Sequence, residues 1–281
     1  MKKRIFAILI AVIVLLVATV PAAAITDGEL DGNGHPFVGL MVALDADDNP
    51  LWRCSGTMIS PTIFLTAGHC TEPPAAKGTI WFDADVESGI PGNGYPFVGD
   101  VTGTAYTHPQ YNPNAFFLYD LGVVELAPAD ALTLDNYGEL PLLDELDVMA
   151  TKRGKQDTTF VAVGYGLQRI NPVFVEAERI RMVAYPQLIQ INVPGYVGDF
   201  SILLSNNHST GGTCFGDSGG PNFIHKYWVE EVPSYVVGGV TSFGKNGNCA
   251  GTGGVYRVDR WDDLKWLCSF GVGTECDLFL E

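Results

Sequence analysis

The string Gly216-Asp217-Ser218-Gly219-Gly220-Pro221 is where this chain could do chemistry. A serine hydroxyl is a weak nucleophile until a base takes its proton. The carbonyl it attacks becomes an oxyanion and needs donors already in place. Glycines beside a serine leave backbone N–H groups uncovered and let a substrate come close. An ordinary glycine-rich turn is the plain alternative, and it loses ground once partners are found elsewhere. The base candidate is His69, in Thr66-Ala67-Gly68-His69-Cys70, at the end of an apolar run and beside a cysteine that could fix its loop. His35, His108, His208 and His225 lack that setting. The orienting acid is Asp120, at the head of the apolar run Leu121-Gly122-Val123-Val124. A carboxylate there is costly to bury alone, but paired to an imidazole N–H it fixes the tautomer and stabilises the imidazolium. The three together point to acyl transfer.

The segments that must position these groups read as β-strands. Short runs rich in β-branched and aromatic residues lie at 37–42, 56–59, 62–66, 121–126, 160–163, 180–183 and 235–241, and Gly, Pro, Asn and Asp punctuate them. Many short strands without a helical period indicate an all-β barrel or sandwich. One helix is expected from about Val258 to Leu267, where Trp261, Leu264, Lys265 and Trp266 fall at helical spacings. A stretch rich in Asp, Leu, Pro and Gly, Ala127 to Lys155, separates two strand-dense halves.

The 281 residues suffice for one large or two small domains, and 47% hydrophobic composition excludes a disordered chain. A net charge of −16 repels phosphate backbones, so nucleic acid is excluded as a partner. Lys2, Lys3 and Arg4, the apolar run Ile5–Val20 and the small residues Ala22-Ala23-Ala24 form the pattern of a secretory signal peptide, residues 1–24. Export to an extracellular or periplasmic space follows, with no membrane contact after its removal. Six cysteines in an exported chain suggest disulfides, with the connectivity open. No CxxC pair or histidine cluster supports zinc. Asp83, Asp85, Glu87 and Asp100 could offer oxygen ligands to calcium, though a solvated acidic loop is the simpler reading. Asn207-His208-Ser209 fits a glycosylation acceptor.

Taken in chain order, these strings resemble the chymotrypsin/trypsin family of serine peptidases, which also runs His, Asp, Ser. His108-Pro109-Gln110-Tyr111-Asn112, Gly164-Tyr165-Gly166, Thr241-Ser242-Phe243-Gly244 and Gly254-Val255-Tyr256 add to the likeness, which covers nearly all of the chain after the leader. The resemblance implies two packed six-stranded antiparallel β-barrels with a C-terminal helix. Residues 25–140 would carry His69 and Asp120, and residues 141–281 would carry Ser218. It implies an oxyanion hole from the N–H groups of Gly216 and Ser218, and disulfides Cys54–Cys70 and Cys214–Cys249. Cys268 and Cys276 depart from the family pattern and are expected to pair with each other. Residues 80–103 and the tail after Cys268 also fit the family poorly.

By alignment on the serine string, Gly212 and Thr213 would form the base of the substrate pocket. Ser242, Phe243, Gly244 and Gly254 would form its walls. No carboxylate stands at Gly212, so large apolar or aromatic residues are expected before the cut. The family also implies an activation pair, the amine of a new N-terminal Ile25 on Asp217. No cofactor and no metal are expected, the partners are protein or peptide substrates, and the chain is expected to be a monomer. The competing expectation is a catalytically silent homologue that uses the same fold for binding.

Overall fold

The computed structural model describes residues 25–150, 158–171, 174–193, 198–225 and 235–279. The expected signal peptide, residues 1–24, therefore lies outside the described residues. The first half holds β1 (Glu29–Leu30), β2 (Val38–Leu44), β3 (Pro50–Met58), β4 (Ile63–Thr66), β5 (Lys77–Trp81), β6 (Val101–Thr107) and β7 (Gly122–Leu126). β2, Val-Gly-Leu-Met-Val-Ala-Leu, is buried at every residue, as a continuous apolar run should be when both faces are covered. β6 alternates between half-buried and exposed residues, the period of a strand with one wet face. The order β2-β3-β4-β7-β6-β5 closes into a barrel, which leaves no edge strand to template aggregation.

The second half holds β8 (Phe160–Gly164), β9 (Arg169–Asn171), β10 (Phe174–Glu176), β11 (Met182–Ala184), β12 (Leu188–Val193), β13 (Gly198–Asn206), β14 (Pro221–Ile224), β15 (Val237–Gly244) and β16 (Gly251–Arg257). Its main sheet runs β1-β11-β8-β14-β15-β16-β13-β12. The six strands from β8 to β12 curl until their edges meet at one bridge, Thr159 to Gln187, with Leu188 N–H on Thr158 O at 2.8 Å and Phe160 N–H on Pro186 O at 2.9 Å. The second barrel is thus closed by a single bridge, while β11 and β1 extend the sheet beyond it. β9 and β10 form a separate hairpin.

One apolar cluster joins the halves, running from Met41, Phe64 and Val124 to Val163, Phe223 and Val240. A second, with Leu146, Phe160, Leu188, Ile202 and Val255, fills the second barrel. Arg181 ties the N-terminal segment to the first barrel: Nε reaches Asp31 at 2.9 Å, Nη2 the carbonyl of Gly32 at 2.8 Å, and Nη1 the carbonyl of Phe82 at 2.9 Å. A buried cation needs such full hydrogen bonding to be tolerated. The C-terminal helix spans Trp261–Cys268 and starts three residues later than its apolar spacing suggests. Asp259 explains the delay, since its carboxylate accepts from Arg257 Nε at 2.8 Å and from Leu146 N–H at 2.8 Å and holds the chain extended.

Candidate active site

His69 sits on a single helical turn, Gly68–Thr71, directly after β4. The turn is pinned from three sides. Cys70 is bonded to Cys54 of β3, Trp52 Nε1–H donates to the Cys70 carbonyl at 3.0 Å, and Thr71 Oγ1 donates to Gly68 O at 3.1 Å. Asp120 precedes β7 and is fully buried. Its carboxylate collects His69 N–H at 2.9 Å, His69 Nδ1 at 3.0 and 3.1 Å, and Ser242 Oγ–H at 2.5 Å. With Nδ1 held as a donor, Nε2 is left as the basic nitrogen. Burial pushes the imidazole pKa down, but the charge and hydrogen bond of Asp120 outweigh it and hold His69 above the ordinary 6.5. Ser242, expected only in the pocket wall, is therefore also a donor to the acid.

The serine loop is fixed by backbone bonds: Ser55 N–H to Ser218 O at 2.8 Å, Gly219 N–H to Thr241 O at 2.8 Å, and Gly220 N–H to Asp217 O at 2.8 Å. Gly216 at φ 95° and Gly219 at φ 78° take left-handed conformations that a side chain would strain. Ser55 Oγ–H donates to Gly216 O at 2.9 Å. The N–H groups of Gly216 and Ser218 find no protein acceptor among the described residues, so both are available to an incoming oxygen. Asp217 is fully buried and accepts from Gly166 N–H at 2.7 Å and Cys214 N–H at 2.8 Å. Burial pushes its pKa up to about 7 against those two bonds and the positive charge of Arg53.

His69 and Ser218 line one cavity of about 430 Å³, together with Thr213, Phe215, Ser242, Phe243, Gly244 and Lys245. Sequence reasoning missed Phe215, although it stands three residues before the serine. Two expected pocket residues do not line the cavity. Gly212 backs onto Asn206, whose Cγ would lie 2.3 Å from a Cβ added at Gly212. Asn206 is itself held by Thr26 Oγ1 at 2.9 Å and donates to Thr213 O at 2.8 Å. Gly254 faces the ring of Phe243, 2.3 Å from an added Cβ, while its neighbour Gly253 faces Thr213 Oγ1 at 3.2 Å. The cause is register: Phe243 pairs with Gly254 and Gly244 with Gly253, with a bulge after Thr241. The ring of Phe243, which itself lines the cavity, therefore stands between Gly254 and the open space.

All three expected cysteine pairs are bonded: Cys54–Cys70, Cys214–Cys249 and Cys268–Cys276. Ile25 lies in an apolar cluster with Met182 and Ala184, and the two hydrogen bonds given for Asp217 come from Gly166 and Cys214. Three of the four acids of the 83–100 loop are engaged within the protein. Asp85 accepts from Ser88 N–H at 2.9 Å, Asp100 from Phe82 N–H at 2.8 Å, and Glu87 pairs with Arg179 at 2.6 Å. The one cluster of metal-type ligands among the described residues, Cys54, His69 and Cys70, has two of its three members in a disulfide. Asn207, His208 and Ser209 are all exposed.

A closed barrel packed on a second, with a one-helix tail, is the chymotrypsin-like fold. The family model described as Trypsin matches residues 31–264, and the chain belongs to that family. It is similar to a trypsin of Saccharopolyspora erythraea, 26% identical over 243 residues, covering 82% of this chain and 91% of the relative. Chymotrypsin-like elastase family member 1 of Macaca fascicularis is 24% identical over 192 residues, covering 65% of this chain and 68% of the relative. Among solved structures, HL collagenase superposes with a TM-score of 0.65 at 19% identity, covering 89% of this chain and all of that one. The protein is a serine-type endopeptidase. No helix among the described residues is long and apolar enough to cross a membrane.

Proposed function

We propose that this protein is a secreted endopeptidase that cleaves peptide bonds through Ser218, His69 and Asp120 and prefers a large apolar or aromatic residue before the cut. The observation that carries the reading is that the imidazole held by Asp120 shares a cavity with Ser218. His69 Nε2 takes the Ser218 proton as Oγ attacks the carbonyl. The N–H groups of Gly216 and Ser218 receive the oxyanion, His69 protonates the leaving amine, and water repeats the sequence on the acyl-enzyme. A silent binding homologue would be expected to lack one of these groups, and none is missing.

The preference rests on the cavity lining. Phe215 and Phe243 supply aromatic surface, and no carboxylate among the described residues lines the cavity. A cationic side chain would find no counter-charge there and would face the charge of Lys245. Digestion of a mixed peptide library by the purified protein tests both parts. Cuts after Phe, Tyr, Leu or Met, abolished by Ser218→Ala, are expected; a profile led by Arg and Lys would overturn the preference. The leader at residues 1–24 carries the export reading, and the two barrels are assigned to 25–140 and 141–281. Cleavage after Ala24 would free an amine on Ile25. Its pairing with Asp217 would relieve the cost of keeping that buried carboxylate ionised.

A further inference from the structure

We propose that Arg53 recognises an acidic side chain on the leaving-group side of the substrate, within two residues of the cut. The inference rests on the reading of Ser218 as nucleophile and adds a substrate feature to it. Arg53 lies on β3 beside Cys54, whose disulfide partner directly follows His69. Its guanidinium rests against the oxyanion loop: a Cβ added at Gly216 would lie 3.1 Å from Nη2 and 3.2 Å from Nε.

The side of the cut follows from the cavity. The cavity is built from residues 213–218 and 241–249 with His69, and Arg53 is not among its lining. If the acyl part of the substrate fills the cavity, the leaving part must pass the opposite side of Ser218. The Cys54–Cys70 disulfide stands outside the cavity lining and beside Ser218, with Cys70 Sγ 3.7 Å from Ser218 O, and Arg53 adjoins it.

The Arg53 guanidinium leans on the Tyr95 side chain and feels the like charge of Arg179. Arg179, Arg181, Arg257 and Arg260 each hold a carboxylate at 2.6 to 2.9 Å. No carboxylate stands within 4.0 Å of the Arg53 guanidinium among the described residues. Asp217 feels its charge, but both its oxygens are bonded to backbone N–H groups. Arg53 is half-buried, and burial lowers its pKa, so a carboxylate that reaches it gains more than at an open surface. A guanidinium suits this task because it meets a carboxylate with two parallel bonds. The protein as a whole carries −16 charges and repels acidic peptides, so any preference for them must be local.

Acyl transfer isolates this side of the cleft. The purified protein is given one ester substrate, and the acyl-enzyme is partitioned between water and the acceptors Ala-Glu-amide, Ala-Gln-amide, Ala-Lys-amide and their sequence-reversed forms. At low salt, one glutamyl acceptor should capture the acyl group about tenfold better than its glutaminyl twin. The margin should shrink in high salt, fall to about twofold or less in Arg53→Gln, and survive in part in Arg53→Lys. Equal capture of Glu and Gln by the unmutated protein overturns the proposal without any variant. So does an Arg53→Gln enzyme that loses rate equally with every acceptor, which would mark Arg53 as a support of the loop alone. Failure of the underlying reading looks different: the ester would then be turned over equally well by Ser218→Ala.

Discussion

Two histidine–aspartate pairs lie on either side of Tyr119, and they have opposite electrostatics. In the first, Asp120 takes donors from His69 and Ser242, the His69 side chain stays 26% exposed, and its pKa is raised. In the second, His108 Nε2 stands 3.8 Å from Asp263 and the ring is 1% exposed. His108 stacks on Tyr119 at 5.2 Å and meets Trp266 at 5.0 Å. Burial lowers the His108 pKa and raises that of Asp263 well above the usual carboxylate range. Asp263 takes both of its short bonds, 3.0 and 2.8 Å, from the Tyr256 hydroxyl. This pair helps to dock the C-terminal helix. Histidine beside aspartate is therefore not a signature of catalysis. The donors around the acid and an open path from the imidazole to a nucleophile make the difference.

Mutations should separate the pairs by orders of magnitude. His69→Ala is expected to lower kcat by about 10⁴ or more, and Asp120→Asn by a similar factor, because the groups act as a unit. Steady-state hydrolysis of a peptide identified from the library measures both. Ser242→Ala, which removes one donor to Asp120, should cost about tenfold in kcat with KM little changed. Asp263→Asn should leave kcat within about threefold. It should also raise thermal stability at neutral pH. Since the folded pKa of Asp263 is raised, its stabilising contribution is full below its ordinary 3.8 and lost as pH rises. An Asp263→Asn enzyme as inactive as Asp120→Asn would erase the distinction between the pairs.

The pH profile sharpens the comparison further. His69 must be neutral to act as a base, so the acid limb of kcat/KM should have its midpoint above 6.5. The same raised pKa stabilises the fold fully below 6.5, and that contribution fades as pH rises through the folded value. Titration of His108 should leave the limb unmoved. Opening the Cys54–Cys70 bridge, which spans 16 residues, should cost about 3 kcal/mol by the loop-entropy argument. Denaturant melts of Cys54→Ala/Cys70→Ala measure it.

The sequence was most legible where chemistry demands particular residues in a row. The strings around His69, Asp120 and Ser218 could be read because few other functions need them together, and the strands because apolar runs alternate with Gly and Pro. What stayed hidden depends on contacts across the chain. The β15–β16 bulge that sets Phe243 opposite Gly254 has no local signal. Asn206 behind Gly212 is set by strands that meet only in the fold. His108 has no cysteine beside it in the sequence, and its acid neighbour, Asp263, lies far along the chain in the C-terminal helix. The late start of the C-terminal helix follows from Asp259 bonding to Leu146, a partner no helical spacing reveals.

The account stands or falls on Ser218 being a nucleophile activated by His69. An organophosphorus reagent that reacts only with activated serines, followed by peptide mass mapping, reads this directly. The account predicts one adduct per molecule, on Ser218, with activity lost in proportion. It also predicts that His69→Ala abolishes labelling while His108→Ala leaves it intact. Labelling at another serine, or full peptidase activity with Ser218 unmodified and reagent in excess, would contradict it.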